Sequence, residues 1–207
     1  YGVELTSVFK SCKAFNTQTF KEEVLVKKDC EFGYRSSIFK THQKEKFIIT
    51  SVCFQLQKPP YYPTITYGAL STIFEGKTPS IQEVATAVIQ IRESKLPDPK
   101  ILGNSGSFFK NPVLGSEQFA ALQQQYPNLP QYPHHKGKVK IPAAWLIDYL
   151  GFKGYRKNDA GVHQNQALVL VNYGNASGAE IKKLAQQIKD KVLENFKINL
   201  EFEVNIL

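Results

Sequence analysis

"SGAEIKKLAQQIKDKVLENF", residues 177–196, is the stretch that decides the fold, because it predicts one long amphipathic helix. Ser177 and Glu180 stand three residues apart, the spacing of a capping box, which satisfies backbone N–H groups at a helix start. Apolar residues recur along it at helical spacing: Ile181, Leu184, Ile188, Val192 and Phe196. A helix with one apolar face must bury that face, and the segments on either side predict what receives it.

The flanking segments are β-rich. "ALVLVN" (167–172) predicts a buried strand, and "INLEFEVNIL" (198–207) alternates apolar and polar residues like a strand with one buried face. Earlier strands are predicted from "VLVKK" (24–28) and "FIITSVCFQLQ" (47–57). Further helices are predicted at 78–95, 116–127 and 141–151. This order of elements predicts an α+β fold, with a helix-covered sheet after residue 97.

The helix over 78–95 has two candidate starts. Thr78 can cap it, with Pro79 at the first helical position, and Ser80 with Glu83 also fits a capping box. Its expected apolar stripe consists of Ile81, Val84, Ala85, Val88 and Ile91. "LPDPK" ends the helix, so we predict a boundary near Leu96 and two domains, 1–96 and 97–207.

The segment 58–70, "KPPYYPTITYGAL", breaks the preceding strand with three prolines and carries three tyrosines. A proline-stiffened aromatic loop could close over a ligand, or its rings could pack on the neighbouring sheet. The pattern leaves both interpretations open.

Composition excludes several classes of protein. The 207 residues are 42% hydrophobic, without a membrane-spanning run or a signal-peptide pattern, which indicates a globular chain with no membrane partner. Cys12, Cys30 and Cys53 are far apart and form no C-x-x-C pair, so neither a disulfide framework nor a metal site is expected. A reducing cytoplasm is the simplest compartment. The chain begins with Tyr1 and contains no methionine, from which we expect a fragment of a longer protein.

The net charge is +8 and the pI is about 9.3. Lysines are mixed with acidic residues along the chain, as in "EIKKLAQQIKDKVLE", and no basic block stands out. This pattern favours a solvated surface over a nucleic-acid footprint, and the remaining alternative is a ligand that carries phosphates.

Candidate chemistry centres on "GNSGSFFKNP" (103–112). The segment is neither a G-x-S-x-G elbow nor a phosphate-binding P-loop, so Ser107 reads as a turn residue whose hydroxyl could at most donate a proton. Glu203 reads as a solvent-face carboxylate, and Arg35, in a loop, suits a carboxylate or phosphate. Lys95 ends a helix, where a cation is favoured for structural reasons alone.

Taken in order, "CEFGYRSSIFK" (30–40), "GNSGSFFKNP", "AAWLIDYLGFKGYR" (143–156), "VHQNQALVLVN" (162–172) and "LEFEV" (200–204) resemble the UDP-N-acetylenolpyruvoylglucosamine reductases, flavoenzymes of peptidoglycan precursor synthesis. The resemblance implies that FAD, reduced by NADPH, passes hydride to C3 of an enolpyruvyl ether. It implies that Ser107 protonates C2, while Arg35 and Glu203 stabilise the enolate.

The resemblance also implies the ligand contacts. For the diphosphate and sugar of UDP-N-acetylglucosamine enolpyruvate it points to Tyr67, Lys95, Asn111, Tyr132 and Gln166. For the flavin it points to Tyr1, Gly2 and Arg92. Residues 58–70 would then be a lid over the substrate. Residues 1–96 would be the second half of an FAD-binding domain, and 97–207 a smaller substrate-binding domain.

The family's N-terminal FAD-binding subdomain is absent from this sequence, so the isolated chain is expected to bind flavin weakly and not to turn over. The complete protein is expected to be a monomer of the bacterial cytoplasm, without a nucleic-acid partner. Two alternatives to the enzyme stay open: a non-catalytic fragment that binds a nucleotide sugar, and a basic module that binds nucleic acid.

Overall fold

The computed structural model describes residues 4–66 and 68–206 and divides into two compact units, Tyr1–Ile91 and Arg92–Leu207. Each unit combines helices with antiparallel sheet, so the predicted α+β class is confirmed. The division falls a few residues before the predicted boundary at Leu96, inside a helix. The domain assignment to 1–96 and 97–207 stays a prediction.

The first unit is built on a small antiparallel sheet in the order β2-β1-β3. Its strands and helices are α1 (Leu5–Val8), β1 (Phe9–Asn16), β2 (Lys21–Val26), β3 (Phe47–Phe54), α2 (Ala69–Ile73) and the start of α3 (Ile81–Lys95). The strands predicted from residues 24–28 and 47–57 are therefore present as β2 and β3, with shorter or shifted bounds.

Helix α3 starts at the second of its two candidate caps. The Glu83 backbone N–H donates to Ser80 Oγ at 3.2 Å, and the Ser80 N–H donates to Glu83 Oε2 at 2.8 Å. The alternative cap at Thr78 is not used, because this capping box satisfies the first turn from Ile81 onward. The predicted stripe is also partly wrong: Ala87 is buried, whereas Ile81 is 56% exposed.

The second unit holds two sheets, in the orders β4-β10-β9-β8 and β5-β7-β6. The strands are β4 (Gly103–Ser107), β5 (Val113–Leu114), β6 (Tyr132–Pro133), β7 (Val139–Lys140), β8 (Arg156–Lys157), β9 (Ala160–Val162) and β10 (Val169–Asn172). The helices are α4 (Ser116–Gln125), α5 (Ala143–Tyr149) and α6 (Gly178–Phe196). All three helices lie within the ranges that the sequence predicts.

Helix α6 packs on one face of the larger sheet as the sequence predicts. The Ser177–Glu180 capping box is present, and Leu184, Ile188, Val192 and Phe196 are buried. They share a core with Leu170 of β10 and with side chains of β9 and α5. The apolar stripe of α6 therefore organises the second unit.

The segment after α6 corrects one prediction. Lys197 has a left-handed backbone, φ 57°, which ends the helix, and Ile198 and Leu200 then enter the core. The predicted strand over 198–207 is nevertheless absent from the described residues 198–206, where an isolated bridge pairs Phe202 with Phe109. The alternation is real, but it serves core packing instead of a continuous ladder.

Within residues 4–66 and 68–206, no helix combines the length and the apolar character that crossing a lipid bilayer requires.

The thiols of the first unit differ sharply in their surroundings. Cys12 on β1 and Cys30, in the turn after β2, are buried in one apolar cluster, whereas Cys53 on β3 is exposed. Burial raises the pKa of both inner thiols, that of Cys30 to about 11. The thiolate is the reactive form of a cysteine, and a raised pKa lowers its fraction. Cys12 and Cys30 are therefore protected both by burial and by their low thiolate content.

We expect a brief treatment of the folded chain with iodoacetamide at pH 8 to label Cys53 and leave Cys12 and Cys30 unmodified. Peptide mass spectrometry reads the sites, and Cys53→Ser should remove the fast-labelled species. Unfolding in guanidinium should expose all three cysteines to the reagent. Equal labelling of Cys30 and Cys53 in the folded chain would contradict the burial of the inner pair.

Candidate functional site

Ser107 is the last residue of β4, and a bulge determines where its side chain points. Ser107 pairs with Val169 and Asn104 pairs with Val171, so Ser105 and Gly106 together face the single residue Leu170 of β10. Gly106 has a φ of +73°, which favours glycine. A β-bulge of this kind redirects the following side chain and is common beside active sites.

Asn104 holds this bulge with its side-chain amide. Its Oδ1 accepts from the Gly106 N–H at 3.0 Å, and its Nδ2 donates to the Leu102 carbonyl at 2.8 Å. Hydrogen bonds from an asparagine side chain to nearby backbone groups stabilise turns. Here they do so at a point where the hydrogen-bond ladder between β4 and β10 is interrupted. The position of Ser107 is therefore fixed by a neighbour three residues earlier, which the sequence interpretation did not single out.

Phe108 and Phe109 anchor the segment on its other side. Phe108 is 5% and Phe109 0% exposed, and the Phe108 N–H donates to the Leu168 carbonyl at 2.8 Å. The Phe202 ring centroid lies 5.6 Å from each of the two rings. This aromatic pair therefore ties the serine bend to the core.

The structure brings Glu203 beside the serine segment. The Glu203 N–H donates to the Phe108 carbonyl at 2.9 Å, and the neighbouring bridge joins Phe109 with Phe202. Glu203 therefore lies opposite Phe108, one residue beyond Ser107. Its side chain is half-buried, which corrects the pattern-based expectation of a solvent-face carboxylate.

A histidine missed by the sequence interpretation lies in the same row of the sheet. The His163 N–H donates to the Val169 carbonyl at 2.9 Å, so His163 and Ser107 flank Val169 on one face. His163 is 8% exposed, and burial lowers the pKa of its imidazole, so the ring is neutral at pH 7. Its only sequence signal is its position just after the small apolar strand "AGV".

Gln166 belongs to the turn that joins β9 to β10. Its carbonyl accepts from the Val169 N–H at 3.0 Å, so the turn is tied to the residue that pairs with Ser107. This substrate-binding candidate therefore lies at the Ser107 end of the sheet.

Asn111 and Tyr132 both lie at the small sheet of the second unit. Asn111 Oδ1 accepts from the Ala143 N–H, at the first residue of α5, at 2.9 Å. Lys140 of β7 pairs with Val113 on one side and with Tyr132 on the other, and its ammonium lies 5.9 Å from the Tyr132 ring centroid. Lys140 is a cation that the sequence interpretation missed, although it stands directly before the helix at 141–151.

The structure gives the surroundings of three further candidates. Arg35 is exposed in a turn of the first unit, with a left-handed φ of +54°. Arg92 and Lys95 are exposed on the last turns of α3. Tyr1, Gly2 and Tyr67 lie outside the described residues. In residues 58–66, Tyr62 is 72% exposed, so its ring does not pack on the sheet as one interpretation proposed.

A cavity of about 230 Å³ lies on the helix side of the larger sheet, lined by Lys157, Glu180 and Lys183 among others. It contains none of the predicted site residues, and the Ser107 face of the sheet is the opposite one. The residues described in the structure contain no cluster of acidic, histidine and cysteine side chains that could hold a metal ion.

These features define an α+β protein whose second unit presents a fixed serine, a half-buried glutamate and a polar cluster at the small sheet, formed by Asn111, Tyr132 and Lys140. A family model described as "UDP-N-acetylenolpyruvoylglucosamine reductase, C-terminal domain" matches residues 98–207, more than half of the chain. The chain belongs to the UDP-N-acetylenolpyruvoylglucosamine reductase family.

Curated relatives are similar in sequence to this chain over its whole length. The reductase of Flavobacterium johnsoniae is 47% identical over 213 positions, which cover 100% of this chain and 62% of the relative. That of Neisseria meningitidis serogroup B is 46% identical, with 100% and 61% coverage. The chain thus spans less than two thirds of these relatives.

A crystal structure of the MurB reductase from Thermus caldophilus shows the same fold, with a TM-score of 0.58 at 22% identity. The likeness covers 97% of this chain and 53% of that one. Because the sequence identity is low, this likeness supports the shared α+β architecture and nothing more.

We expect Gly106→Ala to lower the unfolding free energy of the second unit by about 1 kcal/mol, because an alanine is strained in a left-handed backbone conformation. A Cβ at Gly106 meets nothing within 4 Å, so the penalty is conformational instead of steric. Gly178→Ala, at the first residue of α6, should instead stabilise by about 0.5 kcal/mol. Urea unfolding followed by Trp145 fluorescence reports on this unit.

The opposite signs of the two glycine substitutions are the test. An unchanged or increased unfolding free energy for Gly106→Ala would show that the bulge does not require a left-handed residue.

Proposed function

We propose that this chain is the substrate-binding part of an enzyme that uses NADPH and FAD to reduce UDP-N-acetylglucosamine enolpyruvate to UDP-N-acetylmuramate. The supporting observation is the pairing of the Ser107 and Glu203 segments in the unit that the family model matches. The relatives carry the name UDP-N-acetylenolpyruvoylglucosamine reductase, which supplies the substrate class. Because the chain covers only part of their length, the activity belongs to the complete protein.

Ser107 is the proposed proton donor to C2 of the enolpyruvyl group. A serine hydroxyl is a weak acid, so it donates effectively only when it is held close to a strongly basic carbon in the transition state. The bulge at Gly106 and the buried Phe108–Phe109 pair supply that fixed position. Replacing this hydroxyl should therefore affect the chemical step more than ligand binding.

Glu203 and Arg35 are the proposed partners of the substrate carboxylate. Charge that builds up at C2 spreads into this carboxylate, and groups placed beforehand around it lower the barrier. A guanidinium can bind a carboxylate through two parallel hydrogen bonds. The left-handed backbone of Arg35 is the kind of local strain that often accompanies a functional position.

The diphosphate and sugar are the proposed ligands of the polar cluster around Asn111. Since Asn111 Oδ1 is committed to the Ala143 N–H, its NH2 group is the part available to donate to a phosphate oxygen. Lys140 adds a positive charge beside Tyr132. Gln166, Lys95 and Tyr67 complete the proposed contacts, with residues 58–70 as the lid.

FAD would supply the hydride when bound. Of the three residues proposed to contact it, the structure describes Arg92, an exposed cation whose charge suits the flavin diphosphate. Tyr1 and Gly2 are the other two proposed contacts. The net charge of +8 also agrees with a protein that binds phosphate-bearing ligands.

We further propose a monomer in the bacterial cytoplasm, where Cys12, Cys30 and Cys53 would stay reduced. Its place in metabolism would be the synthesis of peptidoglycan precursors, with no nucleic-acid or membrane partner.

A second candidate function is non-catalytic binding of a nucleotide sugar by the chain as it stands. It is favoured by the location of Asn111, Tyr132 and Gln166 in the second unit. Titration calorimetry with substrate and no flavin distinguishes the two: heat of binding without turnover supports this function for the isolated chain.

For Ser107→Ala in the protein expressed from its complete gene, we expect kcat to fall by about 10²–10⁴-fold, the usual contribution of a positioned acid. NADPH oxidation at 340 nm upon substrate addition is the measurement. The variant should still bleach its flavin with NADPH, because that half-reaction does not need a proton at C2. Ser105→Ala, in the same bend, is the matched control and should keep wild-type kcat.

For Asn111→Asp we expect the KM for substrate to rise about tenfold, since a carboxylate oxygen replaces the proposed phosphate donor. The thermal midpoint should stay unchanged, because aspartate still accepts from the Ala143 N–H. Asn111→Ala should lower both affinity and the midpoint. Unaltered KM in the aspartate variant would remove Asn111 from the diphosphate site.

A further inference from the structure

The segments that carry Ser107 and Glu203 are joined by an ion pair that lies beside both residues. Lys110 Nζ is 2.8 Å from Glu201 Oε2. The backbones of the same two residues are also bonded, because the Lys110 N–H donates to the Glu201 carbonyl at 2.9 Å. Main chain and side chains therefore fasten the two segments at the same position.

This fastening matters because residues 201–203 have little ladder of their own. The bridge between Phe109 and Phe202 is isolated and is bounded by two hydrogen bonds, Lys110 to Glu201 and Glu203 to Phe108. In a regular sheet, several ladder hydrogen bonds together would determine the register of the two segments. Here the Lys110–Glu201 contact secures one end of the short pairing and Glu203 lies at the other.

The surroundings of the pair argue against a role in stability alone. The side chains of Lys110 and Glu201 are 27% and 69% exposed, and ion pairs in such positions contribute little to unfolding free energy. A weak contact can still determine geometry where few others do. Small displacements of a catalytic group, of about 1 Å, are known to cost about 10²-fold in rate.

We infer that Lys110 and Glu201 form a positioning pair, which holds the Glu203 segment against the Ser107 segment during the reaction. The inference rests on the proposed function, because it assigns the pair a role in that reaction. Neither residue contacts the reacting atoms in this assignment. Both act through the backbone that carries Glu203.

The test is a double-mutant cycle with Lys110→Met and Glu201→Gln in the protein expressed from its complete gene. Methionine keeps the aliphatic stem of Lys110 and removes only its charge. Each single variant should lower kcat about 5- to 20-fold with KM changed less than about twofold. The double variant should be no slower than the slower single variant, since both changes remove one interaction.

Two further readouts separate positioning from folding. Hydrogen exchange of the Glu203 amide should accelerate about tenfold in Lys110→Met, while the thermal midpoint and the rate of flavin reduction by NADPH stay at wild-type values. A control is the Lys191–Glu194 pair of α6, whose Nζ–Oε2 distance is 2.7 Å and whose side chains are 52% and 65% exposed. Lys191→Met should leave kcat and the Glu203 amide unchanged.

The outcomes are distinguishable. A wild-type protein without substrate-dependent NADPH oxidation overturns the proposed function and this inference with it. An active wild type, together with Lys110→Met at wild-type kcat and wild-type exchange at Glu203, overturns only the inference. Additive losses in the double variant also overturn it, because they would show that the two residues act independently.

Discussion

The contact of Phe202 with Phe108 and Phe109 is the interaction on which the candidate site depends. It joins the end of β4 to the segment that follows α6, two parts of the chain that are far apart in sequence. Aromatic burial of this size stabilises strongly and restricts geometry, because rings pack with defined offsets. Ser107 directly precedes Phe108 in the chain, and Glu203 directly follows Phe202. The packing of the three rings therefore determines where these two polar residues lie.

Much of the second unit follows from local sequence patterns. The helical spacing and the Ser177–Glu180 cap predicted α6, and the short apolar run predicted β10, because both elements obey rules that act within a few residues. At the start of α3 the sequence left two caps open, one at Thr78 and one at Ser80, and the Ser80–Glu83 box is the one that forms. Local rules define an element well and its first residue less well.

The arrangement of the site could be predicted only through resemblance to a family. The bulge at Gly106 depends on the register between β4 and β10, and the neutral state of His163 depends on burial by distant residues. Lys140 lies beside Tyr132 only because β7 pairs with β6 in the small sheet. Each is a long-range property that no periodicity in the chain encodes, and none of the three was predicted from the sequence.

The segment after α6 shows how a correct pattern can leave the functional detail undetermined. Ile198, Leu200, Phe202 and Val204 alternate with polar residues, so a slip of two residues would keep the apolar face inward. Such a slip would move Glu203 opposite Lys110 and carry it away from Phe108. The identity of Phe202, matched in size to the two rings it contacts, distinguishes the observed register from the slipped one. The left-handed Lys197 fixes where the segment starts. Side-chain shape therefore selects Glu203, instead of Asn205, as the residue opposite Phe108 and next to the serine segment.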